Sequence, residues 1–283
     1  MSRRFVYYGA GRSSVTLLLD DYPAVVAYSL RKLRTAYTGS AIRVRRSSDN
    51  TEQDIGFVGN SLDTASLLSF VGANNGFVTT WYDQQSSNDL IQATSTRQPQ
   101  IVSSGSLILR GGEPSVKFDG SNDRMIYNSS VMNSGARNTS YFSVSNNDNS
   151  SSIGTILSLS TASTNSLRTF NERSAIRRRS MIIGASGTST EVEMSTFRTG
   201  SDPILHSNFV DGSNNMSTFD NSNTGTTNTY GGTTGTTAFQ IGAQATGFTY
   251  LNGTIQEIVA YNTLELTNRT AIETNINDHY AIY

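Results

Sequence analysis

The chain has 283 residues, with 21 Lys plus Arg against 22 Asp plus Glu, a formal net charge of -1, and no Cys. That balance argues against a nucleic-acid surface, and the missing thiols exclude disulfides and thiolate metal sites. His206 and His279 are the only histidines, too little material for a His-based zinc site or a Ser-His-Asp triad.

Charged residues make up 15%, below the usual quarter, and the difference goes to Ser, Thr, Asn and 24 Gly. Such a chain suits strands with Thr- and Ser-bearing outer faces joined by tight turns. The 13 Tyr and 12 Phe argue against disorder. No apolar run is long enough to span a membrane, and the Arg3-Arg4 start lacks the apolar stretch of a secretory signal.

Residues 1–19 read either as an arm that reaches a neighbouring subunit or as a first strand. Asp20-Asp21-Tyr22-Pro23 is a helix-start signal, with Val26, Leu30, Leu33 and Tyr37 on one face of a helix ending near Gly39. Ala41 to Arg46 alternates as a half-buried strand, Ile42 and Val44 inward and Arg43 and Arg45 outward. Asp63 caps a short helix to Val71 that buries Leu67, Leu68 and Val71.

The stretch from Phe77 to Gln92 is the expected centre. A β-branched and aromatic half holding Trp81 and Tyr82 runs into a polar loop with Asp83, Gln84, Asn88 and Asp89. Strands follow at Pro99–Val102, Ser106–Leu109, Pro114–Phe118 and Arg124–Tyr127. Asp119-Gly120, Asp211-Gly212 and Asn252-Gly253 are hairpin signals. Residues 221–237, rich in Asn, Thr and Gly, read as one long surface loop. Phe239–Ile241 resumes the sheet, Gly253–Tyr261 closes it, and Thr267 caps a last helix with Ile272, Ile276 and Tyr280 on one face. The pattern predicts a two-sheet antiparallel sandwich, with residues 20–283 forming one domain.

Two blocks carry a resemblance. The first runs from Ala27-Tyr28-Ser29-Leu30-Arg31 through Ile42-Arg43-Val44-Arg45 to Trp81-Tyr82-Asp83-Gln84-Gln85 and Asn88-Asp89-Leu90-Ile91-Gln92. The second is Gly253-x-Ile255-x-Glu257-Ile258 followed by a helix. Together they resemble the concanavalin A-like sandwich of the α-L-arabinofuranosidase B catalytic domain, and laminin-G-like modules of phage virion and tail proteins. The resemblance implies an all-β jelly roll with short peripheral helices that presents loops to carbohydrate.

It also implies a proton-donating Asp in a Gly-Gly-Asp-Asn run before the closing strand. The matching run here is Gly242-Ala243-Gln244-Ala245, and an amide does not deliver a proton. The implied nucleophile is a Glu in a mid-domain strand. Glu172, Glu191 and Glu193 qualify by position only, in no matching motif, and Glu172 and Glu193 read more readily as solvated strand-edge acids or as partners of Arg168, Arg173 and Arg177.

The site expected from the sequence is therefore a ligand-binding one without catalytic residues. Trp81 and Tyr82 would offer ring faces, and Asp83, Gln84, Asn88, Asp89 and Gln244 polar groups for sugar hydroxyls. The plainer alternative places Trp81 in the core and Asp83 on turn amides. No cofactor or metal is expected; a Ca²⁺ ion would need the oxygens of Asp119, Asn122 and Asp123, whose spacing matches no known loop.

On this reading the protein is a structural virion component, a phage capsid decoration or tail-fibre part, localised to the particle surface. It would attach to other virion proteins through the N-terminal arm, form a homo-oligomer, and adhere to cell-surface glycans, with no nucleic-acid or membrane partner. A glycoside hydrolase of the α-L-arabinofuranosidase type is the second reading, and a ligand-free cement protein the third.

Overall fold

Alternating apolar residues, interrupted by turn-forming ones, make short strands far more often than helices here. The computed structural model describes residues 16–132, 138–148, 153–160, 167–173, 177–183, 189–194, 203–230, 238–244 and 249–283. For Ile153, Ser160, the strands within 167–183, Ser189 and Glu193 only the backbone is described.

A one-turn helix α1 (Leu18–Asp21) precedes β1 (Val26–Ser29), β2 (Ile42–Arg46) and β3 (Glu52–Ile55). A small hairpin of β4 (Phe57–Val58) and β5 (Ser61–Leu62) leads to α2 (Thr64–Val71) and β6 (Gly76–Trp81). Then come β7 (Leu90–Ile91), β8 (Gln100–Ser103), β9 (Ser106–Leu107), the paired β10 (Leu109–Arg110) and β11 (Glu113–Pro114), β12 (Val116–Asp119) and β13 (Met125–Tyr127). Longer strands follow: β14 (Thr139–Asn147), β15 (Ile153–Ser160), β16 (Leu167–Arg173), β17 (Arg177–Ile183), β18 (Ser189–Glu193) and β19 (Ile204–Val210). The chain ends with β20 (Asn215–Asp220), β21 (Asn223–Thr229), β22 (Phe239–Ile241), β23 (Asn252–Tyr261) and α3 (Arg269–Tyr280).

All pairings among them are antiparallel and form two layers. In one, β23 pairs with β14 on one side and with β1 and β12, end to end, on the other. This layer continues through β19 and β20 to β21. The other layer runs β3-β2-β6-β7-β13-β22-β15-β16-β17-β18. Strand β8 pairs with both β6 and β12 and so stitches the layers together at a corner.

The main core lies between the layers, with Val26, Tyr28, Ile258, Ala260, Val116 and Phe118 from one facing Ile42, Val44, Val78, Trp81, Phe239 and Ile241 from the other. The expected all-β sandwich with short helices is what forms.

A second core fills the space under α3. Phe142 meets Phe209 and Tyr261 edge to face at 5.6 and 5.9 Å, and Ile272, Ile276 and Tyr280 press on them from the helix. Leu18 and Leu19, within the segment read as an arm, are buried here. Beside them a charged pair is sealed in. Arg31 Nε and Nη2 donate to Glu257 Oε2 and Oε1 at 2.8 and 3.0 Å, while Ser29 and Tyr280 hydroxyls also donate to Oε2.

Two glycines let the backbone pass where a side chain would not fit. A Cβ at Gly253 would stand 1.9 Å from the Asn146 carbonyl oxygen, where β23 and β14 meet. Gly242, at φ +80°, has the Phe118 ring in the space a Cβ would take.

Four sequence expectations are corrected. No helix covers 22–38; Val26–Ser29 is a strand buried on both faces, so its period of two was hidden behind apolar residues on each side. Neither Asp119-Gly120 nor Asn252-Gly253 closes a hairpin, because β12 and the start of β23 pair with each other; only Asp211-Gly212 turns a hairpin, β19 to β20. Part of the 221–237 segment is the edge strand β21, whose exposed Thr residues favour extended backbone without burial. Residues 231–237 lie outside the described residues. Asn268 rather than Thr267 occupies the cap position of α3, without a side-chain cap bond.

Candidate functional site

The Phe77–Gln92 stretch is indeed central, but its side chains serve the fold more than a ligand. Strand β6 lies between β2 and β7, and register sets Trp81 opposite Ile42 and Leu90. Trp81 is 0% exposed and belongs to the main core, so it offers no ring face to a sugar. Asp83 is sealed in and accepts from Ala27 N at 2.9 Å, Gln85 N at 3.0 Å and the Ser86 hydroxyl. Gln84 accepts from Leu33 N at 2.8 Å and donates to the Ser29 and Arg31 carbonyls at 3.2 and 2.8 Å. These two side chains fasten the 83–86 turn to the β1 segment, which corrects their expected role at a binding surface. Tyr82 is half-buried at the surface and donates to Asp54 Oδ1 at 2.7 Å.

Asn88 donates to Ser86 Oγ at 2.6 Å, and its carbonyl accepts from the Tyr28 hydroxyl at 2.5 Å. Asp89 Oδ1 accepts from Asp83 N at 2.9 Å, and burial raises the pKa of this carboxyl from its ordinary value.

Asp89, one of the expected site residues, opens onto a cavity. A cleft of about 510 Å³ lies over β7 and β13, with Ile91 and Ile126 as floor, Tyr127 as wall and Asp89 and Asn128 among its polar lining. Ile91 is 51% exposed and is cross-strand partner to Ile126, so the floor is an apolar step open to solvent.

Around the corner made by β6, β8 and β12 is a second cleft of about 340 Å³, lined by Phe77, Gln98, Gln100, Lys117, Asp119 and Asp123. Asp119 Oδ1 collects the Ser121, Asn122 and Asp123 amides, while Asp123 Oδ2 accepts from Asp119 N at 3.0 Å. Burial, reinforced by the neighbouring Asp119 charge, pushes the Asp123 carboxyl up to about 7. A carboxyl half-protonated near neutrality, in a cleft, is what acid–base chemistry requires. The sequence names this residue only as an oxygen source for a metal; the two acids four apart around Gly120 were the available signal. Among the described residues no group of three or more His, Cys, Asp or Glu side chains could hold a metal ion.

Gln244 sits in the hairpin that leaves β22. Ala243 bridges Tyr250, Gln244 N donates to Thr249 O at 3.1 Å, and the Thr249 hydroxyl donates to Gln244 Oε1 at 3.2 Å. It does not line either cleft. The side chains of Glu172 and Glu193 lie outside the described residues; Glu191 is half-buried near the sheet edge. Arg177-Arg178-Arg179 begins β17, and its side chains are likewise outside the description.

The family model described as α-L-arabinofuranosidase B, catalytic, matches residues 19–170. The chain belongs to this family. Its sandwich is similar to solved arabinofuranosidase structures. One is a GH54 α-L-arabinofuranosidase soaked with a cyclic sulfate inhibitor, at a TM-score of 0.70 and 16% identity, covering 92% of this chain and 64% of that one. Another is an arabinofuranosidase complexed with arabinofuranosyl-α-1,2-xylobiose, at 0.68 and 16% with the same coverage. A third is a Glu-to-Gln variant of a GH54 α-L-arabinofuranosidase soaked with 4-nitrophenyl α-L-arabinofuranoside, at 0.68 and 15%.

The chain thus spans 64% of the length of these solved chains, and at such identity the likeness speaks for the fold. No curated protein matches it in sequence. Membership of the arabinofuranosidase B family corrects the first reading of the sequence. The match points to the glycoside hydrolase ranked second there, and away from a phage decoration or tail-fibre protein.

Proposed function

We propose that the protein is a glycoside hydrolase that removes α-L-arabinofuranosyl groups from a polysaccharide or oligosaccharide. The observation that carries this reading is the family match over 19–170, the segment that builds the β1-β2-β6-β7 framework and both described clefts. Arabinofuranosyl linkages are also what the solved relatives are described as acting on or holding.

Gln244 shapes the expected kinetics. A glycosidic bond to a sugar alcohol needs a proton on the departing oxygen, whereas a nitrophenolate leaves as a stable anion without one. With an amide at the implied acid position, an aryl arabinofuranoside is the substrate whose cleavage asks least of Gln244.

The test is turnover of purified protein on 4-nitrophenyl α-L-arabinofuranoside, with the β-D-xylopyranoside as control. Release from the arabinofuranoside alone supports the reading. A folded protein that releases nitrophenol from neither would overturn it.

A further inference from the structure

If Gln244 does not supply the proton, another carboxyl must, and the fold brings one close to the same hairpin. Leu251 N donates to Gly242 O at 2.8 Å at the base of that hairpin, and Gly120 N donates to Leu251 O at 3.0 Å. Asp119, at the end of β12, is paired with Asn252. Met125, two residues after Asp123, is paired with Ile241, the last residue of β22 before the hairpin. The Asp119–Asp123 turn therefore rests against the foot of the hairpin where the acid was expected.

Asp123 is 7% exposed, yet it lines the 340 Å³ cleft. One of its oxygens takes the Asp119 amide; the other has no hydrogen bond within the described residues. Among the described residues no cation is paired with it. Lys117, in the same cleft, gives its ammonium to Asp148 at 2.6 Å and to Asn252 at 3.1 Å. Arg45 reaches Gln98 at 2.7 Å and lies over the Phe77 ring at 4.9 Å. A buried carboxyl without a counter-charge holds its proton, and the rise to about 7 agrees with that.

We infer that Asp123 is the proton donor for hydrolysis of unactivated arabinofuranosides, acting in the cleft lined by Phe77, Gln100 and Lys117; this rests on the hydrolase reading proposed above. The Asp123 carboxyl gives its proton to the glycosidic oxygen as that oxygen takes the electron pair of its bond to the anomeric carbon. The leaving sugar departs as a neutral alcohol. Water supplies the new oxygen on the anomeric carbon, and the proton that water loses restores Asp123. Net, one glycosidic bond and one water become two hydroxyl-bearing sugars.

The experiment compares the full chain with Asp123→Asn and Asp123→Glu on arabinofuranosyl-xylobiose and on 4-nitrophenyl α-L-arabinofuranoside, each variant's fold checked by its thermal transition. The expected result is a roughly 100-fold fall of kcat/KM for Asp123→Asn on the oligosaccharide, with less than about a threefold change on the aryl glycoside and partial rescue by Asp123→Glu. The wild-type oligosaccharide rate should also fall as pH rises through about 7, a limb that Asp123→Asn lacks. Equal loss on both substrates assigns Asp123 a structural role and overturns the inference, as does no loss on either. A wild-type chain that cleaves neither substrate overturns the hydrolase reading itself, and the inference with it.

Discussion

Glu257 and Asp123 are both buried carboxyls, and the fold treats them in opposite ways. Burial alone would raise the pKa of Glu257, but the Arg31 charge and its two hydrogen bonds outweigh that and hold it below its ordinary value. Asp123 has no such partner among the described residues, so burial prevails and the carboxyl rises to about 7. Asp83 shows a third solution, since two backbone amides and a hydroxyl surround it in place of a cation. A counter-charge makes a buried carboxylate a structural pin. With neither a counter-charge nor a shell of donors, it stays a proton reservoir facing a cleft.

The largest effect should come from breaking the pin. Glu257→Gln leaves the Arg31 guanidinium buried at 6% side-chain exposure without its anion, and urea unfolding should show a loss of roughly 3–5 kcal/mol. A loss below about 1 kcal/mol would mean that the pair is no more than a surface ion pair in effect. Asp83→Ala should cost less, about 2–3 kcal/mol, because it strands the Ala27 and Gln85 amides without removing a charge partner.

A pH titration of stability sharpens the contrast further. His279, next to this pin, is lowered from 6.5 to about 4, by burial first and by the Arg31 charge second. A depressed pKa means the unfolded chain takes the proton first. This part of the stability is therefore whole above 6.5 and is lost as pH falls toward about 4. His279→Gln should flatten that acid limb; an unchanged limb would place its origin elsewhere.

Asp123 has the opposite sign. Its folded pKa lies above 3.8, so its contribution is whole at acid pH and is lost as pH rises from about 4 to about 7. In Asp123→Asn the stability difference between those two pH values should shrink.

Much of this fold was legible in the residues. The Ile42/Val44 alternation, the Asp63 cap on Ser66 N and the apolar stripe of Ile272, Ile276 and Tyr280 form as read, because each buries one face against the sandwich. The 22–38 segment was not legible. Val26 and Leu30 sit four apart in either a helix or a strand flanked by two cores, and only β23 alongside decides between them.

The site was harder to read for a related reason. Trp81, Asp83 and Gln84 look like sugar-binding chemistry, but their partners Ala27, Leu33 and Ile42 lie some 40 to 60 residues earlier in the chain. Asp123 looks like a turn residue, and only the corner formed by β6, β8 and β12 encloses it.

The most direct measurement is to follow arabinofuranosyl-xylobiose by proton NMR in the presence of the purified chain. The account predicts that free arabinose and xylobiose appear together in equal amounts, faster below neutral pH than above it. An unchanged spectrum, with the protein still folded, would contradict it.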